Sequence, residues 1–148
     1  MSTYSQSLIQ IVFSTKYREE TLIKAHRDEL YKYIWGVIKN NNCHLYRIGG
    51  IEDHIHIATS LKSTITVADL VKDIKLASSD YIKKNNLFPD FNGWQNGYSW
   101  FTYSINAKDN LIEYIRNQEM HHKRKSFKEE IIDLLNEHGV EYDEKYLL

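Results

Sequence analysis

The sequence is poor in the residues that fasten or loosen a chain. Cys43 is its one cysteine and Pro89 its one proline. A single cysteine excludes an internal disulfide and any zinc cluster built on thiolates, and it suits a reducing interior. With no repeat, low-complexity segment or linker rich in proline or glycine, the 148 residues read as one domain spanning 1–148. No apolar run is long enough to cross a bilayer, and Met1-Ser2-Thr3-Tyr4-Ser5 has neither the basic nor the apolar part of a signal peptide. The expected location is therefore the cytoplasm, with no membrane partner. Charge of one sign is also missing: 19 Lys and Arg against 20 Asp and Glu leave a net charge of −1. Proteins that grip nucleic acid by bulk electrostatics carry a large basic excess, so any DNA contact here must be local.

One place is locally basic: His121-His122-Lys123-Arg124-Lys125, which precedes an acidic tail containing Glu129, Glu130, Asp133, Glu137, Glu141, Asp143 and Glu144. A charge run of this kind also fits an ordinary solvated face. Aromatics are plentiful, and 11 Tyr with 3 Trp supply flat side chains able to stack on bases.

Periodicity orders the chain. Leu8 to Phe13 is apolar and β-branched, a strand ending near Ser14. Leu30, Ile34, Val37 and Ile38 recur at helical spacing within a helix from about Glu19 to Asn41. Cys43 to Ile48 and Glu52 to Thr59 form a hairpin expected to turn at Gly49-Gly50. Thr66 with Asp69 signals the start of a helix that runs to about Asn85, carrying Leu70, Ile74, Ala77 and Tyr81 on one face. Asn85 to Gly97 reads as a long loop. Tyr98 to Ile105 reads as a strand, and Asn106 as the cap of a helix packing through Leu111, Ile112 and Ile115. Ser126 and Glu129 form a capping box for a last helix closed by Gly139. The fold class is α+β: a ferredoxin-like β-α-β-β-α-β core with an antiparallel sheet, plus two C-terminal helices.

Chemistry concentrates in two places. Side chains alternate along a strand, so His54 and His56 share one face while Ile55 and Ile57 share the other. Two imidazoles so placed can converge on a cation, and they also fit two polar residues on a solvated face. Tyr114 and Gln118 lie four apart in the middle of the expected helix and can point the same way. A phenol nucleophile facing two imidazoles and an amide oxygen suits phosphodiester chemistry, because neutral ligands leave a divalent cation its full charge for phosphate. A phenol with a pKa near ~10 needs help from such a cation or a base. A tyrosine that only packs against the sheet has the same spacing. Position 58 is Ala, which sets aside a histidine-triad hydrolase.

Four ordered segments resemble the HUH single-tyrosine transposases of small bacterial insertion sequences and their relatives associated with repetitive extragenic palindromes. They are Ile11 to Arg18, Asp53-His54-Ile55-His56, Trp94-Gln95-Asn96-Gly97-Tyr98, and Tyr114 to Gln118 continuing through His121-His122 and Phe127-Lys128-Glu129-Glu130. The resemblance implies that His54, His56 and Gln118 hold Mg²⁺ or Mn²⁺ on the scissile phosphate of single-stranded DNA while Tyr114 attacks it. It further implies a 5′-phosphotyrosine, strand transfer at hairpin-marked ends, and a homodimer. Lys16, Arg18, Lys123, Arg124 and Lys125 are the candidates for phosphate contacts. His122, one turn beyond Gln118, reads as a surface histidine or a reserve ligand. Two other readings remain: a replication-initiator or relaxase-type nickase, and a domesticated hairpin-binding protein without turnover.

Overall fold

The structure, a computed structural model, describes residues 2–147. Four strands, β1 (Ile9–Ser14), β2 (Leu45–Gly50), β3 (His54–Thr59) and β4 (Ser99–Thr102), form one sheet in the order β2-β3-β1-β4 with every neighbour antiparallel. Helices α1 (Lys24–Asn40) and α2 (Val67–Asn85) make the two crossovers, which gives the ferredoxin-like arrangement expected from the sequence. Three further helices follow β4: α3 (Lys108–Arg116), the single turn α4 (Gln118–His121), and α5 (Phe127–Glu137).

Strand alternation sorts the residues into layers. Ile9, Ile11 and Phe13 of β1 with Ile55 and Ile57 of β3 face α1 and α2, where they pack on Leu30, Ile34, Ile38, Leu70, Val71 and Ile74. The other face carries two apolar seams. Val12 and Phe101 meet Phe127, Ile131, Leu134 and Leu135 of α5, while Leu8 and Ala58 meet Leu111 and Ile115 of α3. This face is thus roofed by the C-terminal helices, and β3 is buried along its whole length.

Local signals place several boundaries. Thr66 Oγ1 accepts from the Asp69 N–H at 3.1 Å, so α2 begins where the cap predicts. Ser126 and Glu129 form the reciprocal capping box of α5, and Gly139 takes the left-handed φ of 68° just beyond it. Other expectations are corrected. α1 starts at Lys24 rather than near Glu19. β4 stops at Thr102 because Ser104, not Asn106, caps a 3-10 turn over Ile105–Ala107 that leads into α3. The expected tyrosine helix is divided at Asn117 (φ −93°, ψ 19°), which leaves Tyr114 in the last turn of α3 and Gln118 at the start of α4. The 85–97 segment is a packed connection, burying Leu87, Phe88 and Phe91 and bridging Trp94 to Thr15.

Gly49 and Gly50 are not the hairpin turn. They lie in β2, and residues 51–53 make the turn, closed by the Ile51 N–H to the His54 carbonyl at 3.2 Å. Their purpose is close approach. A Cβ on Gly49 would stand 2.4 Å from the Ile115 carbonyl oxygen, and one on Gly50 would stand 2.2 Å from the His54 carbonyl oxygen. Gly49 pairs with His56 across the sheet, so its bare backbone lets α3 lie directly beside that histidine.

Candidate active site

Between the two apolar seams runs a polar strip, and the roof of the sheet closes over it. His54 and His56 have no exposed surface, and Gln118 has 1%. Each imidazole is aimed from behind. His54 Nδ1 lies 2.7 Å from Asp53 Oδ1, and His56 Nδ1 lies 2.7 Å from Oε1 of Gln10, whose amide N–H donates to Tyr103 Oη at 2.6 Å. With Nδ1 of each ring committed to an acceptor, the lone pair of a neutral imidazole points inward from Nε2.

The helices bring the remaining groups to the same point. Buried Arg27 donates to the Leu22 carbonyl at 2.8 Å and to Glu119 at 3.0 Å, tying α4 to the start of α1 and turning the neighbouring Gln118 inward. Gln118 Oε1 is 3.2 Å from His54 Nε2. The Tyr114 ring stands edge-on to His56 with centroids 5.7 Å apart, and its hydroxyl donates to Glu130 of α5. The four residues singled out in the sequence, His54, His56, Tyr114 and Gln118, therefore meet within a single chain. Tyr114 reaches the strip because Gly49 admits α3, despite the break at Asn117 that ends its helix.

Glu130 is the residue that spacing did not single out. Its Oε1 lies 3.3 Å from His54 Nε2, 3.0 Å from His56 Nε2 and 2.9 Å from His122 Nε2, while Oε2 accepts from Gln118 Nε2 at 2.9 Å. One sequence signal existed: Glu130 falls on the stripe of Phe127, Ile131 and Leu134, an acid where helical periodicity calls for an apolar side chain. His122 is likewise no surface residue, with 6% of its side chain exposed. The Phe127 ring stacks on His54 at 4.2 Å and closes the strip on that side.

Electrostatics follow from burial. Desolvation pushes His56 down to about 4, so its ring is neutral at ordinary pH. Burial also works against a charge on His54, but hydrogen bonds to Asp53 and Glu130 outweigh it and raise its pKa. Glu130 is desolvated too, yet the surrounding imidazoles hold it well below the usual carboxylate range. Burial, then the Glu130 charge, holds the Tyr114 proton far more tightly than in a free phenol. A neutral His56 bonded through Nδ1 to Gln10 faces Glu130 with a lone pair, acceptor against acceptor. That donor set fits a divalent cation, which would turn the clash into ligation.

The basic residues lie on two sides of this strip. Arg124 and Lys125 border a cleft of about 460 Å³ that also contains Tyr114, His121 and His122, and Lys123 is exposed on the same connection. Lys125 is paired with Asp133. Arg18 borders a second groove beyond Phe127, its guanidinium 6.0 Å from that ring, and Lys16 Nζ lies 5.5 Å from the Tyr17 ring. Tyr17 and Arg18 both adopt left-handed φ, 56° and 53°, which costs side-chain-bearing residues roughly 1–2 kcal/mol each. Gln95 Oε1 accepts from the Tyr17 N–H at 2.9 Å and holds that turn.

The family model described as Transposase IS200 like matches residues 3–118. The chain belongs to the IS200-like transposase family. As an IS200-like transposase it contains both histidines, Tyr114 and Gln118 inside the matched span, whereas His122 and Glu130 lie outside it. Two solved structures share the fold. A Deinococcus radiodurans R1 protein named as a transposase superposes with a TM-score of 0.63 at 22% identity, covering 80% of this chain and 95% of that one. A REP-associated tyrosine transposase bound to a REP hairpin superposes with a TM-score of 0.61 at 15% identity, covering 82% and 74%. No curated protein sequence matches the chain.

Proposed function

We propose that this IS200-like transposase cleaves and rejoins single-stranded DNA at hairpin-marked element ends through a covalent link to Tyr114. The observation that carries the reading is the meeting of the Tyr114 hydroxyl with the His54–His56 pair in one buried strip, beside a cleft bordered by Arg124 and Lys125. His54, His56 and Gln118 would hold Mg²⁺ or Mn²⁺. Bound there, the cation would supply positive charge for a phosphate and for the oxyanions that develop on it.

The residues divide the work as follows. Tyr114 Oη forms a bond to phosphorus as the phosphorus–O3′ bond breaks, leaving a 5′-phosphotyrosine and a 3′-oxygen that takes a proton from solvent. The phenol proton already points at Glu130, which places that carboxylate to receive it. Attack by a second strand's 3′-hydroxyl reverses the chemistry and rejoins DNA, one phosphodiester exchanged for another with no outside energy source. Arg124, Lys123 and Lys125 on one side, with Lys16 and Arg18 on the other, suit contacts to the DNA backbone, which position a strand without reading its sequence. A hairpin partner accords with the solved relative bound to one. A homodimer accords with β4, an edge strand that leaves Trp100 45% exposed.

The test uses end-labelled single-stranded oligonucleotides covering palindromes that flank the gene. With Mg²⁺ or Mn²⁺ the full-length protein is expected to become covalently attached to label. Tyr114→Phe is expected to lose attachment and keep binding. Attachment that persists in Tyr114→Phe moves the nucleophile elsewhere, and cleavage unaltered by His56→Ala removes the metal from the reaction.

A further inference from the structure

We propose that His122 and Glu130 are themselves ligands of the divalent cation, joining His54 in a site that favours Mn²⁺ over Mg²⁺. The proposal rests on the metal-dependent reading above and changes its ligand set. Both residues lie beyond the span matched by the family model, on the connection after α4 and on α5.

Three observations carry it. Glu130 Oε1 lies within 3.3 Å of Nε2 of His54, His56 and His122 alike, and His122 Nε2 lies 3.1 Å from Gln118 Oε1. Ligands with bonds of about 2.1 Å sit roughly 3.0–3.4 Å apart, and His54, His122 and Glu130 form the group whose ligand atoms all lie within 4.8 Å of one another. The inward nitrogens are free of the claims that other partners make on Nδ1. Nδ1 of His54 and of His56 face acceptors, and the Gln118 amide N–H donates to Oε2, not Oε1, of Glu130. Finally, the set is dry. Side-chain exposure is 0% for His54 and 6% and 5% for His122 and Glu130.

Dryness and donor type decide the metal. Mg²⁺ prefers oxygen ligands and keeps several waters, whereas imidazole nitrogens suit transition metals and need no water in the shell. The second carboxylate oxygen would continue to hold the Tyr114 hydroxyl and the Gln118 amide, so Glu130 would link nucleophile to cation as a positioning residue. Because α5 carries Glu130 and Phe127, ligation would also pin this helix to β3.

The experiment titrates metal-free full-length protein with Mn²⁺ or Mg²⁺ alone by calorimetry and follows bound Mn²⁺ by pulsed electron paramagnetic resonance. Mn²⁺ is expected to bind about tenfold or more tighter than Mg²⁺, and Glu130→Gln and His122→Ala are each expected to weaken Mn²⁺ about tenfold or more. Nitrogen couplings should count one imidazole fewer in His122→Ala than in the parent protein, a readout independent of overall stability. Mn²⁺ affinity unchanged in both variants overturns this ligand set and leaves His54, His56 and Gln118 as the site. Tighter binding by Glu130→Gln overturns it as well, making the carboxylate a competitor for the cation's place. Absence of any binding by the parent protein overturns both this proposal and the metal-dependent reading beneath it.

Discussion

The two faces of the sheet are built on opposite plans. Against α1 and α2 the strands present Ile9, Ile11, Phe13, Ile55 and Ile57, a continuous apolar surface. Against α3 and α5 the same strands present Val12, Leu8 and Ala58 at the seams and Gln10, His54 and His56 between them. Both faces are dry, so the difference lies in what compensates burial. On the first face it is transfer of apolar area from water, worth about 1.5–3 kcal/mol for each large aliphatic side chain. On the second, buried polar atoms must be compensated in other ways: Gln10 links Tyr103 to His56, Glu130 accepts from Tyr114 and Gln118, and between His56 and Glu130 two acceptors face each other where a cation fits. One face holds the fold, and the other uses that rigidity to hold unlike groups close together.

Substitutions sharpen the contrast. The largest effect on function belongs to the polar face: Tyr114→Phe should reduce covalent DNA attachment by more than about a thousandfold, as expected when a nucleophile is removed, while the melting temperature moves little. A large drop in melting temperature for this variant would break the distinction between the faces. The largest effect on stability belongs to the apolar face. Ile57→Ala should cost about 2–5 kcal/mol in denaturant unfolding, the range for a fully buried aliphatic reduced to alanine. If Ile57→Ala costs under about 1 kcal/mol, the α1–α2 face is not the main core.

Gly49→Ala tests the hinge between the two plans. Its new methyl group would meet the Ile115 carbonyl, so overpacking of about 1–3 kcal/mol is expected together with loss of attachment, because α3 carries both Ile115 and Tyr114. Full activity in Gly49→Ala would show that Tyr114 does not depend on this close approach. The smallest effect should come from Ser126→Ala, which removes the capping box of α5 and should cost about 1 kcal/mol. Thermal unfolding monitored by circular dichroism measures it, and a neutral result would mean that the Phe127 and Glu130 contacts alone seat the helix.

Much of the architecture was legible before any coordinates. The strand expected over Glu52 to Thr59, the cap at Thr66 and the capping box at Ser126 depend on neighbours within a few positions; both caps form where local rules place them, and the strand begins two residues later, at His54. The Gly49-Gly50 pair misled because two glycines serve a tight turn and a close contact equally well, and only α3 lying over β2 distinguishes them. The expected tyrosine helix passes over Asn117 without a proline or glycine to mark the break. Glu130 reads as part of the acidic tail because a carboxylate in a charged segment is ordinarily solvated.

The sequence alone determined which side chains share a strand face or a helix face, since those periodicities are set by the backbone of each element. It also carries the ordered segments that resemble the family. Tertiary structure decided the rest. His56 and Glu130 are 74 residues apart and meet at 3.0 Å only because α5 packs Ile131, Leu134 and Leu135 against Val12 and Phe101. No local rule relates residues at that separation. Their encounter follows from where apolar surface on one helix finds apolar surface on the sheet, and the acid is carried to the imidazoles as a consequence.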